Sequence, residues 1–331
     1  MHRYYVFNGD ADGLCALQQL RLAAPEAERD QAFTLVTGVK RDIALLDRVT
    51  AGPGDVCTVL DVSLDVNRAG LERVLAAGAT VRYFDHHFAG DIPQSPNLDA
   101  HIDLAANVCT SLIVDRYLEG RCRPWAVVGA FGDSLVEEGK ALAQAAGISA
   151  AATERLAALG VAINYNAYGE TIEDLHVPPA DLAAEMLKYA DPLELAQKSK
   201  TYRALAEGYR DDLGRARALD PFRKAEGAIV FLLPDAAWAR RVSGPLANDL
   251  AKIYVQSALA IVSHKTGGGF LVSLRVPRDS PLSAEEFCRR FPTGGGRKTA
   301  AGINHLPADA FEGFVSAFET QFGRPADPAA G

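Results

Sequence analysis

Short apolar, β-branched runs alternate with helical patterns through the first third of the chain. Residues 4–7, 33–37, 57–61 and 80–84 read as strands, with helical periodicity starting at Leu14, Ile43 and Asn67 between them. This rhythm predicts an α/β fold: a mainly parallel β-sheet flanked by helices, joined by right-handed crossovers. In such sheets the ligand crevice lies beyond the carboxyl ends of the strands. From about 105 to 209 the pattern turns helical, with candidates at 110–118, 124–131, 141–146, 151–159 and 179–189. The segment 193–218 reads as one long polar helix. Strands return at 227–233, 258–263 and 269–276, followed by a helix from Ser283, a glycine-rich turn at Gly294, Gly295 and Gly296, and a helix from Ala308. The expected division is 1–190, a helical connector 191–220, a smaller α+β domain 221–324 and a flexible tail 325–331.

Composition adds few surprises. At 331 residues, 48% hydrophobic and 23% charged, the chain can build two cores. No run approaches the roughly 18 uncharged apolar residues of a membrane span, and no signal-like segment opens the sequence, so a cytoplasmic location without membrane contact is expected. Five cysteines without C-x-x-C spacing argue against a disulfide framework or a structural zinc site. Charge is uneven. Residues 221–331 hold 13 basic against 10 acidic side chains, so the acidic excess behind the net charge of −8 lies wholly in residues 1–220. An acidic larger part disfavours a basic track for duplex nucleic acid and suits cations that neutralise a small anionic substrate.

The acidic residues fall at the predicted strand ends. Asn8, Asp10 and Asp12 follow the first strand, Asp61 the third, and Asp85, His86 and His87 the fourth, while Asp133 follows the apolar run 125–131. Adjacent histidines at a strand end face opposite sides and seldom serve one core, so metal or phosphate contact is the stronger reading. An EF-hand start is excluded, because Gln19 holds the twelfth position where glutamate is required. Taken singly, Asp10, Asp61 and Asp133 are ordinary turn or capping residues. Their convergence is what makes a metal site.

The chain resembles the DHH phosphoesterase superfamily. The resemblance rests on D-x-D-G at Asp10, Asp12 and Gly13, on Asp61, on the triplet Asp85, His86 and His87, and on Gly132 with Asp133. It extends to a DHHA1-type carboxyl-terminal domain through Gly294, Gly295, Gly296, Arg297 and Lys298. It implies two divalent ions, Mn2+ with Mg2+ or Co2+ as alternatives. Asp10 would bind one ion, Asp12, His86 and Asp133 the other, and Asp61 would bridge them. It also implies that His87 faces the scissile phosphate and that Asp85 orients the histidines. Asn8 departs from the family's usual His or Asp; an amide oxygen adds no charge to the first ion's shell. Arg297 replaces a usual His and can make a bidentate anion contact.

Further anion contacts are expected from Ser273 and Arg275 on one strand face, and from Arg241 just before a helix start. Lys40 and Arg41 lie at the sheet's carboxyl edge and could approach a substrate phosphate. Thr110 and Ser111 read as helix caps, and His101, His264 and His305 as structural or exposed. The function these features imply is hydrolysis of phosphoesters in small nucleotides or short oligonucleotides, with His87 and Arg297 stabilising the phosphoryl charge. Alternatives are a catalytically weakened nucleotide sensor, favoured by Asn8, and a polyphosphatase. The alanine-rich central helices suggest a homodimer.

Overall fold

Parallel pairing organises the amino-terminal part of the computed structural model, which describes residues 1–29 and 31–323. Strands β1 (Arg3–Phe7), β2 (Phe33–Val36), β3 (Val56–Leu60), β4 (Thr80–Asp85) and β5 (Leu98–Ile102) form one sheet in the order β2-β1-β3-β4-β5, every pair parallel. Strands β1, β3 and β4 are mostly buried on both faces, which is why they read as nearly continuous apolar runs. Tyr5 and Phe7 face the larger core cluster, while Val6 faces a second core with Val59 and Val81. Strand β5 escapes the sequence reading because Leu98, Asp99, Ala100, His101 and Ile102 are only partly buried or exposed.

The crossovers and the helices beyond β5 follow in turn: α1 (Ala11–Ala23), α2 (Glu26–Arg29), α3 (Arg68–Ala76), α4 (Thr110–Tyr117), α5 (Arg123–Gly132), α6 (Val136–Ala145), α7 (Ala150–Asn166), α8 (Pro179–Met186), α9 (Pro192–Lys198) and α10 (Lys200–Arg217). The helix expected from Ile43 is a 3-10 turn, Leu45–Arg48. The single long helix expected over 193–218 is two, because Ser199 leaves the helical backbone at ψ 125° and its Oγ accepts the Tyr202 N–H at 3.2 Å, opening α10.

The chain divides into two compact units, Met1–Gly208 and Tyr209–Gly331. The second holds a mixed sheet in the order β10-β11-β9-β8-β7-β6, built from β6 (Arg223–Ala225), β7 (Ala228–Leu232), β8 (Ala258–His264), β9 (Phe270–Arg275), β10 (Gly294–Arg297) and β11 (Ala300–Leu306). With it go helices α11 (Ala237–Ile253), α12 (Ala284–Cys288) and α13 (Phe311–Phe322). Phe287, Phe314, Phe318 and Phe322 are fully or almost fully buried and pack edge-on, tilted or, for Phe314 on Phe318, stacked, filling the core between the sheet and α12 and α13.

Two sequence expectations change here. The glycine run is an edge strand, since β10 pairs antiparallel with β11 from Gly294↔Ile303 to Arg297↔Ala300. Glycine is required because a Cβ on Gly294 would lie 1.8 Å from the Cys288 carbonyl oxygen at the end of α12. Arg241 does not precede a helix: α11 starts at Ala237 and carries both Arg241 and Pro245 inside it. The tail expected at 325–331 lies outside the described residues. Among the described residues no helix is long and apolar enough to cross a membrane.

Candidate metal centre

Strand register alone brings three of the sequence-predicted positions level. Phe7 pairs with Leu60 and Leu60 with Phe84, so the residues that follow, Asn8, Asp61 and Asp85, lie side by side at the sheet's carboxyl edge, Asp85 as the last residue of β4. Backbone bonds continue one step past the strands, from Asn8 N–H to Leu60 O at 3.2 Å and from Asp61 N–H to Phe84 O at 3.0 Å. The order β2-β1-β3 reverses direction at β1 and β3, the switch point where parallel sheets open a crevice.

Helix ends supply the rest. Asp10 caps α1, its Oδ1 accepting the Asp12 and Gly13 N–H groups at 3.0 and 3.2 Å. Asp12 sits in the first turn of α1 and turns its carboxylate to the start of α4, where Thr110 and Ser111 each donate a backbone N–H at 2.7 Å. The expected caps are thus capped by Asp12, and two helix amino ends favour its negative charge. Gly132 allows the end of α5 to approach α1, because a Cβ there would lie 2.3 Å from the Ala11 Cβ. That approach carries Asp133 to the side of the crevice near Asp12.

Asp61, His86 and His87 offer ligand atoms that all lie within 4.8 Å of one another. Asp61 is 2% exposed and adopts φ +59°, a left-handed backbone that aspartate tolerates better than most residues and that aims it into the cluster. Its Oδ1 accepts the Thr110 hydroxyl at 3.2 Å and lies 3.4 Å from His86 Nε2. The Asp133 carboxylate is 4.0 Å from the same nitrogen. His86 Nδ1 donates to the Val108 carbonyl at 2.8 Å, which leaves Nε2 with its lone pair turned to Asp61 and Asp133. His87 Nδ1 donates to Asp85 Oδ1 at 2.7 Å. Asp85 therefore orients His87, while a main-chain carbonyl orients His86.

Electrostatics at the site are dominated by crowded, buried carboxyl groups. Burial, then the charges of Asp10, Asp12, Asp133 and Asp85, holds the Asp61 carboxyl well above the usual range. Burial and the nearby Asp12 push Asp133 up to about 6. Asp133 also ends α5, where the helix dipole opposes a negative charge. Burial is the largest influence on Asp10 and opposes its ionisation, but the charge and hydrogen bond of Lys40, with hydrogen bonds from Asp61 and the Gly13 N–H, together outweigh it and bring that carboxyl down to about 2. For His87 burial disfavours the imidazolium, and the hydrogen bond and charge of Asp85 more than offset it, raising the pKa. One neutral oxygen at the site is left over, for the Asn8 Oδ1 is buried without a hydrogen-bond partner among the described residues.

The other candidates are placed as follows. Lys40, read as a phosphate contact, instead sets its ammonium on Asp10 Oδ2. Arg241 is buried and gives Nε and Nη2 to Asp212 Oδ2 at 2.9 and 2.7 Å, so it serves the interior of the second unit. Ser273 and Arg275 do share a strand face, opposite Gly302 and Ala300, which in turn face Gly295 and Arg297. Arg275 is held there by Asn248 at 2.9 Å. Arg297 and Lys298 are exposed beside this small-residue surface. His101 is structural, stacked on Phe84 with centroids 4.6 Å apart. Sequence reasoning missed the Val108 carbonyl and the Thr110 hydroxyl as partners of the cluster; neither carries a signal until the fold brings α4 over the strand ends.

No family model matches the sequence, and no curated protein does. Solved structures do match. Exonuclease RecJ bound to manganese has a TM-score of 0.61 and 21% identity over 99% of this chain and 92% of that one. RecJ from Thermus thermophilus in complex with Mn2+ has 0.62 and 20% over 98% of this chain, which spans about half (53%) of that protein's length. The pGpG-specific phosphodiesterase PggH of Vibrio cholerae has 0.52 and 14% over 97% and 100%. The chain thus has the two-part α/β fold of RecJ and PggH. That fold agrees with the resemblance carried by the sequence motifs.

Proposed function

We propose that this protein is a metal-dependent phosphoesterase of the DHH superfamily, hydrolysing phosphoester bonds in small nucleotides or short oligonucleotides. The observation that carries the reading is the gathering of Asp61, His86 and His87 within 4.8 Å at the sheet's switch point, under carboxylates that repel one another without a cation. Asp12, Asp61, His86 and Asp133 would hold a divalent ion, whose Lewis acidity makes water a nucleophile near neutral pH. His87, kept protonated by Asp85, donates from Nε2 to a phosphoryl oxygen as charge builds there. Asp85 also fixes the ring, and Val108 fixes the neighbouring His86.

The second unit offers a separate anion surface. Gly295, Gly302 and Ala300 leave the sheet face low beside Arg297, and a phosphate or terminal carboxylate can approach the guanidinium there. Arg297→Ala is expected to raise KM for a dinucleotide about tenfold, the size of one charge-assisted hydrogen bond, with kcat nearly unchanged. An unaltered KM would remove Arg297 from the substrate site.

The deciding assay is release of mononucleotide or phosphate from dinucleotides, cyclic dinucleotides and 3′-phosphoadenosine 5′-phosphate, with inorganic polyphosphate in parallel, in Mn2+. Turnover of a nucleotide supports the reading. No turnover of any nucleotide with manganese demonstrably bound defeats it. The neutral Asn8 and the Lys40–Asp10 pair favour one second reading, a nucleotide sensor with weakened catalysis. Calorimetric nucleotide binding without conversion would establish that one instead.

A further inference from the structure

Both oxygens of Asp10 are already engaged. Oδ1 takes the two N–H groups that open α1, at 3.0 and 3.2 Å, and Oδ2 takes the Lys40 ammonium. Lys40 is built into this place. Its N–H donates to the Ala167 carbonyl at 3.0 Å, its own carbonyl accepts Nδ2–H of Asn8 at 3.3 Å, and the Tyr168 ring centroid lies 5.4 Å from Nζ. The Asn8 contact needs an amide, since a carboxylate has no hydrogen to give the Lys40 carbonyl. Asn8 therefore holds the main chain of residue 40 in place, from which the lysine ammonium reaches Asp10.

An ion beside Asn8 and Asp10 would meet three obstacles. It would face an ammonium that repels a divalent charge twice as strongly as a single one. It would have to share Asp10 Oδ2 with the Lys40 ammonium, since Oδ1 already accepts two N–H groups. And Asn8 Oδ1 contributes an oxygen without charge, short of the several oxygens a hard cation requires. The other position has no ammonium seated on its ligands, because His86 Nε2, Asp61 and Asp133 face one another there and Asp12 accepts the backbone N–H groups of Thr110 and Ser111.

We propose that Lys40 stands in for one of the two cations: its ammonium, positioned by Asn8 and seated on Asp10, makes this a centre for a single divalent ion held by Asp12, Asp61, His86 and Asp133. The inference rests on the metal-centre reading above and departs from the two ions that the motif resemblance implies. A fixed unit charge replaces an exchangeable one, so the half of the site nearest Asp10 keeps its positive charge whatever the surrounding cation concentration.

The test counts ions without relying on turnover. The full chain is stripped with chelator, reloaded with Mn2+, freed of excess and assayed for manganese per chain, and the bound ion is examined by electron paramagnetic resonance. The expected result is about one manganese per chain with the hyperfine pattern of an isolated ion, and the same for Lys40→Arg. The double variant Asn8→Asp with Lys40→Met is expected to hold about two, with the exchange-coupled spectrum of neighbouring ions. Two coupled ions in the wild type overturn the proposal. So does a double variant that keeps its fold by circular dichroism and still holds one; if it does not fold, the wild-type spectrum decides alone. A wild-type chain that binds no manganese overturns the metal centre itself, a result distinct from two ions.

Discussion

Asp61→Asn is expected to make the cation-free protein more stable while destroying its capacity to bind a cation. The substitution keeps size and shape, leaves an oxygen for the Thr110 hydroxyl, and suits the left-handed φ of +59° because asparagine tolerates it as aspartate does. What it removes is a charge buried among four other carboxylates. A carboxyl whose pKa is raised in the folded state holds protons that the unfolded chain would release. Its stabilising contribution is complete below the unfolded value near 3.9 and is lost as pH rises through the folded one. Asp133, pushed up to about 6, follows the same sign. The melting temperature of the cation-free wild type should therefore fall from about pH 4 through pH 6 and beyond, and that of the variant should fall less. At neutral pH the variant should melt higher, by about 2–4 °C for each kcal/mol of repulsion relieved.

Cations reverse the order. An ion bound at 100 times its Kd adds about 2.7 kcal/mol to the wild type, and the gain increases with pH because ligands must be deprotonated to bind. In Asp61→Asn the affinity should drop by more than about 100-fold, beyond the loss seen when only a ligand's hydrogen-bond partner is removed. Scanning calorimetry with and without Mn2+ measures both effects. A variant less stable without cation, or one still stabilised by it, would show that Asp61 serves the fold rather than the ion.

Much of this site is legible in sequence because the chemistry follows from position. Apolar runs identify β1, β3 and β4, and once these are parallel, Asn8, Asp61 and Asp85 to His87 must emerge at one edge. Asp133 is harder, since its place depends on Gly132 letting α5 reach α1, a contact that no local pattern announces. Local signals mislead elsewhere. Gly294, Gly295 and Gly296 have the composition of a turn but lie in a strand, held by pairing with β11. Arg241, expected just before a helix start, lies inside α11, which runs on through Pro245, and is committed there to Asp212. Lys40 could be placed at the correct edge of the sheet from sequence, but its partner could not. That choice is made by Asn8 and Tyr168, from two other loops.

The two histidines of the triplet differ in role, and His87→Ala separates them. The His87 atom nearest Asp61 is Nδ1, 3.9 Å away, and that nitrogen carries the proton given to Asp85, so it has no lone pair for a cation. The His87 side chain is also 45% exposed against 18% for His86, so under the proposed function it is His87 that meets a substrate. His87→Ala is thus expected to lower kcat by about 10²–10⁴, the usual worth of a placed proton donor, and to leave manganese content unchanged. His86→Ala should lose both. Because Asp85 raises the His87 pKa, activity should decline as pH rises through that value, and Asp85→Asn should move this alkaline limb to lower pH. Loss of manganese in His87→Ala would make His87 a ligand, and an alkaline limb unmoved in Asp85→Asn would assign it to another group.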